Sequence, residues 1–283
     1  MRTTADLTDA TNQARIIQEL RRQKQLRFSL GVNASYIVLM AILIFAFSGW
    51  EFTVFGIEFS VISLDWDFIW ERVPFIFGGV GLTILLSILS IALASVLALL
   101  GALGRLSKSP PAYALATFYI SLIRGTPLLL QIIFFFLALP QLGIILTGLG
   151  AGVLALGLNY GAYMTEIMRA GIQSVGPGQR EAALAIGMTQ RQIMQRIVLP
   201  QAFRLVIPPI GNQFIAMLKD TSLISVTGAV WEILWRAQKV GRANFRTLEA
   251  LLIAAVFYWI ITIIFSAAQS RLETYMARGE RTL

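Results

Sequence analysis

The 283-residue sequence contains no cysteine and no histidine. Their absence excludes disulfide frameworks, zinc sites built from cysteine and histidine, thiol nucleophiles and Ser-His-Asp triads. Charged side chains are also scarce, at 13% of residues, compared with roughly 25% in an ordinary soluble domain. We therefore expect no metal site and no catalytic residues in this chain.

Apolar residues are abundant instead. They make up 57% of the sequence, and the mean hydropathy is +0.72, which indicates an integral membrane protein. The formal net charge is +8. In a soluble protein this charge would suggest a nucleic-acid partner, but in a membrane protein it usually reflects Lys and Arg collected on the cytoplasmic side. We favour the second explanation and expect no nucleic-acid partner.

Six apolar stretches predict an all-α polytopic membrane protein with about six transmembrane helices. They are the segments 28–48, 75–103, 128–139, 153–172, 206–218 and 247–268. A basic tail, residues 1–27, precedes them, and a tail at 276–283 follows them. Because Lys and Arg favour the cytoplasmic side, we place both termini in the cytoplasm. Residues 28–74 then comprise the first span and an acidic outer loop.

Two segments on the expected outer side are unusual. A glycine-rich segment, residues 147–152, is expected to permit a turn and close helix packing. Residues 230–245 are expected to form an amphipathic helix, yet this segment and the residue after it carry four basic residues: Arg236, Lys239, Arg242 and Arg246. The charge rule is statistical and weaker for later loops, so we keep the topology.

The polar segment between the fourth and fifth spans, residues 173–204, is named the coupling loop here. Pro177 suits the first turn of a helix, and Gly187 can adopt the left-handed conformation that ends it. Thr189 is followed three residues later by glutamine, the spacing of a capping box, and Pro200 is expected to stop the second helix. The pattern predicts a helix, a turn and a helix.

A helix-turn-helix with several arginines has two interpretations. It matches a DNA-reading element in part, but a third helix and a separate core do not fit between two adjacent spans. A short rigid helix on the cytoplasmic face is better suited to dock into a groove on a soluble partner. Movement of that partner would then pass to the fourth and fifth spans.

Seven positions of the coupling loop form a fixed pattern: Glu181-Ala182-Ala183, Gly187, Ile197 and Leu199-Pro200. The pattern resembles the EAA loop of bacterial binding-protein-dependent ABC importer permeases. Further segments are similar to the branch that carries polar amino acids: Arg124 to Gln131, Gly161-Ala162-Tyr163 with Glu166 and Arg169, and Lys219 to Leu223. The likeness covers about residues 75–275. It implies a core of five spans, to which residues 1–74 are additional.

The resemblance implies an inner-membrane permease surrounded by lipid, with no cofactor of its own. Its implied partners are a dimer of ATPase subunits that bind ATP and magnesium, an extracytoplasmic amino-acid-binding protein, and a second permease subunit of the same or a related sequence. The sequence has no G-x-x-x-x-G-K-[ST] phosphate loop, so ATP hydrolysis is expected in another chain. The residues expected to couple to that ATPase are Gln179, Arg180, Glu181, Ala182, Ala183, Gly187 and Gln190.

Two interruptions of the apolar pattern indicate a substrate path: 124–127 and 219–222. Broken helices free N–H and C=O groups that can bind an ammonium and a carboxylate, although packing also explains such breaks. The residues assigned to the path are Asn159, Tyr163, Glu166, Lys219, Asp220, Thr221 and Ser222. Glu166 and Arg169 are three residues apart on a helix, so their pairing would give Glu166 a structural role instead.

A second class of function fits some of the same residues. In an ion-coupled secondary transporter of small polar solutes, Glu166 and Asp220 would be ion or proton sites. The two hypotheses differ in their energy source. An ABC importer requires ATP and a binding protein, whereas a secondary carrier is driven by an ion gradient alone.

Overall fold

The computed structural model describes the backbone of residues 4–54 and 57–278, and the side chains of residues 19–51, 53 and 61–276. Parts of both expected tails therefore lie outside the described residues. These parts are residues 1–3 of the basic tail and residues 279–283 of the C-terminal tail. The chain divides into two compact units, Met1–Trp66 and Asp67–Leu283.

The first unit contains one long helix and two short strands. Helix α1 (Thr4–Ala46) continues without interruption through the expected boundary at residue 27. Strands β1 (Glu51–Val54) and β2 (Ile57–Ser60) follow and pair antiparallel. The acidic segment after the first span is therefore partly β-structure, which corrects the all-α expectation at this point. Extended pairing suits its β-branched and aromatic residues.

Helices make up almost all of the second unit. In chain order the helices are α2 (Trp66–Phe77), α3 (Val80–Arg105), α4 (Pro110–Arg124), α5 (Leu128–Ile133), α6 (Gly148–Ser174), α7 (Pro177–Ala185), α8 (Gln190–Ile193), α9 (Leu199–Asp220), α10 (Ile233–Ala243) and α11 (Thr247–Arg278). Two π-helical turns, Phe134–Ala138 and Met194–Val198, and two 3₁₀ turns, Leu139–Leu142 and Thr221–Thr227, extend them. The boundary expected at residues 74 and 75 falls inside α2.

The helices differ in how well they suit a membrane. In the described part of the chain, the stretches 19–46, 66–105 and 247–276 are long and apolar enough to cross it. The α4 helix and the segment Leu128–Leu142 pass only together, and they make a fourth span only if this pair, which is bent by 102° at its break, is counted as one. Glycines and polar residues interrupt the apolar sequence of α6, and prolines and polar residues interrupt that of α9, although both helices are continuous. The structure is thus a helical membrane protein with several long apolar helices, and six spans remain a prediction.

Helix α6 lies at the centre of the second unit. Small residues let it approach α3 closely: Ala155 is fully buried, and a Cβ on Gly157 would lie 2.5 Å from Leu93 Cδ2. The glycine-rich segment expected to permit a turn instead forms the first turn of α6, with Thr147 as its N-cap. A Cβ on Gly152 would meet Ile224, so the expected close packing is present there.

The helix that follows the coupling loop does not stop at Pro200, contrary to expectation. Helical residues run from Gln190 to Asp220 without a gap. In the π-helical turn before the proline, the Leu199 N–H bonds to the Met194 carbonyl five residues earlier. This wider turn makes room for a proline ring that would clash with the carbonyl four residues earlier in a regular α-helix. One continuous helix therefore joins the coupling loop to the second helix break.

Candidate substrate cavity and coupling loop

A cavity of about 540 Å³ lies where the two helix breaks meet the middle of α6. Its wall comes from the α4–α5 connection, from α6 and from α9. The lining residues are Arg124, Gly125, Thr126, Pro127, Leu128, Asn159, Tyr160, Tyr163, Gln213 and Asp220. Segments that are more than 90 residues apart in sequence thus share one polar site.

The α4–α5 break is held by a buried glutamine. Pro127 has no N–H, so it cannot donate to the Ile123 carbonyl four residues earlier. Gln131 replaces that donor: its Nε2 donates to the Ile123 carbonyl at 2.8 Å and to Thr126 Oγ1 at 2.9 Å. Gln131 is only 7% exposed, and its Oε1 accepts from Asn159 Nδ2 at 3.2 Å. The bent segment is therefore fixed to α6 by side-chain hydrogen bonds.

The second break follows Asp220, the last residue of α9. The Tyr160 hydroxyl donates to Asp220 Oδ2 at 2.7 Å, which fixes the carboxylate at the cavity wall. The next residue, Thr221, is fully buried, and its hydroxyl donates to the Leu218 carbonyl at 2.8 Å. The chain then continues as a 3₁₀ turn, so the end of α9 is stabilised from both sides.

The cavity has one charged group of each sign among its lining residues. Arg124 lies over the ring of Tyr163, with its Cζ 5.0 Å from the ring centroid. Asp220 supplies the negative charge. Such a site can hold a small molecule that carries both an anionic and a cationic group. Among the described residues, no group of three or more acidic side chains could hold a metal ion.

Three of the seven predicted path residues line this cavity: Asn159, Tyr163 and Asp220. The other four do not belong to the lining: Glu166, Lys219, Thr221 and Ser222. Glu166 instead pairs with Arg169, whose Nη2 lies 2.7 Å from Glu166 Oε2. That contact favours the structural alternative for Glu166.

Sequence reasoning did not assign Gln131, Tyr160 and Gln213 to the path. Gln131 had a usable signal, since a single amide in an otherwise apolar run must find a hydrogen-bond partner. Nothing in the sequence separates Tyr160 from the chain's other tyrosines. Its importance comes from contact with Asp220, 60 residues further along the chain.

The coupling loop folds as predicted up to its second helix. Helix α7 begins at Pro177, and Gly187 adopts the left-handed conformation with φ +83°. The Met188 N–H then bonds to the Ala183 carbonyl at 3.1 Å. The capping box is present, because Thr189 and Gln192 exchange side-chain to backbone hydrogen bonds. The turn is therefore built entirely from local interactions.

The seven predicted coupling residues do not all face outward. Five are exposed: Gln179, Glu181, Ala182, Gly187 and Gln190. Ala183 is 2% exposed and packs in the core, and Arg180 Nη2 donates to the Ile172 carbonyl at 2.6 Å. Leu184 and Ile186, which were not assigned, are 47% and 78% exposed. Helix α7 is thus anchored to the end of α6 and presents apolar side chains beside Glu181.

A buried carboxylate holds the other end of the unit together. Glu232 is the N-cap of α10 and accepts from the N–H groups of Leu234 and Trp235 at 2.8 and 2.6 Å. It also accepts from the Tyr258 hydroxyl on α11. Burial raises the pKa of the Glu232 carboxyl above its ordinary value of 4.5, and these hydrogen bonds offset part of the rise.

Comparisons with known proteins agree with the EAA pattern. Residues 94–278 match the family described as "Binding-protein-dependent transport system inner membrane component". The chain is 42% identical over 222 residues to the L-cystine transport system permease protein of Bacillus subtilis (strain 168), covering 76% of this chain and 94% of that protein. It is 38% identical over 216 residues to the glutamine transport system permease protein of Escherichia coli (strain K12), covering 76% and 98%.

A solved structure shares the fold as well. The crystal structure of an amino acid ABC transporter with histidines matches with a TM-score of 0.70 at 36% identity, covering 76% of this chain and 100% of that chain. Inner membrane components of such systems are multi-pass and typically hold no cofactor, and their dependence on a binding protein and an ATPase implies both partners. The chain belongs to the family of inner membrane components of binding-protein-dependent transport systems, as the permease subunit of an ABC importer whose ATP is hydrolysed by a separate ATPase chain.

Proposed function

We propose that the protein carries polar amino acids across the bacterial inner membrane through the cavity between the two helix breaks. The observation that supports this most directly is the presence of Arg124 and Asp220 in one cavity. An α-carboxylate would bind at Arg124 and an α-ammonium at Asp220. The relatives named for cystine and glutamine transport amino acids that share this pair of charges and differ in their side chains.

The rest of the wall suits the remainder of an amino acid. The amides of Asn159 and Gln213 can donate to and accept from a polar side chain. The volume of about 540 Å³ lies within the range of about 300–1,000 Å³ common for small-ligand sites. Lys219, Thr221 and Ser222 would act indirectly, by shaping the turn that places Asp220. Glu166 would stabilise α6 through Arg169.

In the proposed assembly, two permease subunits of the same or related sequence stand on two ATPase subunits. Helix α7 would fit a groove of the ATPase, with Glu181 at a basic or N–H-rich position and Leu184 and Ile186 in apolar contact. ATP binding would draw the two coupling loops together and open the cavity outward. Hydrolysis of ATP would then reset the inward-facing packing.

The proposed topology has six spans, with both termini and the coupling loop in the cytoplasm. It is testable because the chain has no cysteine, so one introduced cysteine is its only thiol. Ile186 and Phe245 are 78% and 95% exposed. A membrane-impermeant maleimide should label Phe245→Cys in spheroplasts whose inner membrane is intact. It should label Ile186→Cys only after that membrane is permeabilised. The reverse labelling pattern would refute the topology.

The transport function is tested by reconstitution of the permease with its ATPase and binding protein in liposomes. Uptake of labelled cystine, glutamine and arginine should require both ATP and the loaded binding protein. Asp220→Asn and Arg124→Gln should each reduce that uptake, while Arg271→Gln, an exposed residue on α11, serves as the matched control. Uptake driven by an ion gradient without ATP would contradict the proposal and support the secondary carrier.

A further inference from the structure

Helix α10 has an apolar face that is fully used by the protein. Ile233 and Ala237 are completely buried and Val240 nearly so, in contact with α2 and α11. The opposite side carries exposed aromatic and basic residues. Four of them, Trp231, Lys239, Arg242 and Phe245, are called the α10 patch here.

Two of the four patch side chains, Trp231 and Lys239, are already ordered. The rings of Trp231 and Trp235 stack with centroids 4.8 Å apart and an interplanar angle of 3°. Lys239 Nζ lies 5.0 Å from the centroid of each ring. Binding of a partner here would cost little side-chain entropy, because these aromatic anchors and the neighbouring cation already hold fixed positions.

Phe245 has a strained backbone and an almost free side chain. Its φ is 55°, the left-handed conformation that ends α10, and the Arg246 N–H bonds to the Gly241 carbonyl at 2.9 Å. Glycine is the usual residue at this position of a helix end, and a bulky residue there is an outlier. Phe245 is also 95% exposed. Neither packing nor helix termination explains an aromatic residue at this position.

Neither cation of the patch, Lys239 or Arg242, has an ion pair within the described residues. Arg236 is used internally, because it donates to the carbonyls of Trp231 and Phe75 at 2.8 and 3.0 Å. Arg242 is exposed and makes no hydrogen bond or ion pair within the described residues. With the topology proposed above, these cations oppose the usual charge bias of outer segments. A negatively charged partner would account for them.

Lipid is a weaker explanation than protein. A helix that lies in a membrane surface inserts its apolar face between the lipids and leaves its basic face in water. The apolar face of α10 is buried in its own protein, and the exposed aromatic residues Trp231 and Phe245 lie on the same side as Lys239 and Arg242, not on a separate apolar face. Tryptophan and arginine, which the patch exposes as Trp231 and Arg242, are residue types enriched at the centres of protein interfaces.

We propose that the α10 patch is the docking surface for an acidic face of the substrate-loaded binding protein. This inference rests on the proposed topology, which puts α10 outside. Lys239 and Arg242 would attract the acidic face, and Trp231 and Phe245 would enter apolar recesses on it. The surface thus gives a physical basis for the binding-protein dependence of the importer.

The test uses the complete transporter in nanodiscs and the cognate binding protein recovered with it from native membranes. The measured quantity is the concentration of loaded binding protein that gives half-maximal stimulation of ATPase activity. Lys239→Glu combined with Arg242→Glu should raise it at least ten-fold in low salt, and by less in high salt because charge attraction is screened. A matched double reversal, Lys108→Glu with Arg271→Glu, should leave it unchanged.

Phe245→Gly separates docking from folding. Glycine adopts the left-handed conformation without strain, so this variant should unfold at the same temperature as the parent or a higher one. It should nevertheless need at least three-fold more binding protein for half-maximal stimulation. A variant that is at least as stable yet docks less well cannot be explained by damage to the fold.

Three results would overturn the proposal. In the first, the charge-reversed and Phe245→Gly variants both need the same concentration of binding protein as the parent, while Phe245→Cys is labelled from outside. This result would reject the docking surface and keep the topology. Failure of that labelling would reject the topology together with the surface. Variants whose activity instead changes with the anionic lipid content of the nanodiscs, at a constant response to binding protein, would assign the patch to lipid.

Discussion

Replacing Gln131 with Met removes the hydrogen bonds that this side chain makes across the α4–α5 break while nearly keeping the length of the side chain. The Ile123 carbonyl then loses its donor at 2.8 Å and keeps the longer bonds from the Thr126 hydroxyl and N–H at 3.4 and 3.5 Å, and Asn159 loses its acceptor at 3.2 Å. A buried polar group without a partner costs about 1–3 kcal/mol. Asn159 borders the cavity, where water can replace its partner, so most of the cost comes from the bonds lost at Ile123 and Thr126. We expect a loss of about 2–3 kcal/mol in unfolding free energy.

The assay is thermal unfolding of the whole chain in detergent micelles. For a protein of this size, 1 kcal/mol corresponds to about 2–4 °C in Tm, so the expected decrease is about 5–10 °C. Leu130→Met is the matched control, because it introduces the same residue at a neighbouring position that is 54% exposed. Equal Tm values for the two variants would refute the conclusion that the Gln131 hydrogen bonds stabilise the α4–α5 break. Combining Gln131→Met with Asn159→Leu should cost less than the sum of the two changes.

Four further changes have defined outcomes. Glu181→Lys reverses the exposed charge of α7 and should abolish ATP-driven uptake while membrane insertion, followed by fractionation, is retained; normal uptake would exclude a docking role. Gly187→Val forces a β-branched residue to φ +83°, at a cost of about 1–2 kcal/mol, and should also uncouple transport, whereas Gly187→Asn should keep most of the uptake. Tyr160→Phe removes a hydrogen bond to a carboxylate, about 1.5–3 kcal/mol, and should raise the half-saturating substrate concentration for uptake about ten-fold; no change would remove Tyr160 from the site. The folded-state pKa of Glu232 is raised above 4.5, so its stabilising contribution is complete below that pH and is lost as the pH rises through the raised pKa. Glu232→Gln should therefore flatten the decline of Tm above pH 4.5. Parallel plots of Tm against pH for the parent and the variant would contradict this.

The sequence predicted best those features that depend on neighbouring residues. The helix start at Pro177, the left-handed Gly187 and the capping box at Thr189 each follow from a few positions in a row, and the structure contains all three. The permease family was likewise predicted from short fixed patterns, and the comparisons confirm it. Local chemistry was sufficient in these cases.

Features that depend on contacts between distant residues could not be predicted in this way. Pro200 was expected to end a helix because the rule for proline assumes regular α-helical geometry, and the π-helical turn before it changes that geometry. The segment 219–222 was assigned to the substrate path as one helix break, yet Thr221 is buried and its hydroxyl bonds to its own helix. Periodicity alone also could not show that Ala183 faces inward while Ala182 faces outward.

The continuous helix from Gln190 to Asp220 makes the number of residues between the turn at Gly187 and the cavity as important as their identity. Adding one residue to its regular α-helical part would rotate everything beyond by about 100° and advance it by about 1.5 Å. Asp220 would then turn away from Tyr160, although every side chain was still present. The π-helical turn at Met194–Val198 is the one place in this helix where an extra residue is already absorbed. Homologous permeases should therefore tolerate changes of length in this stretch only at that turn.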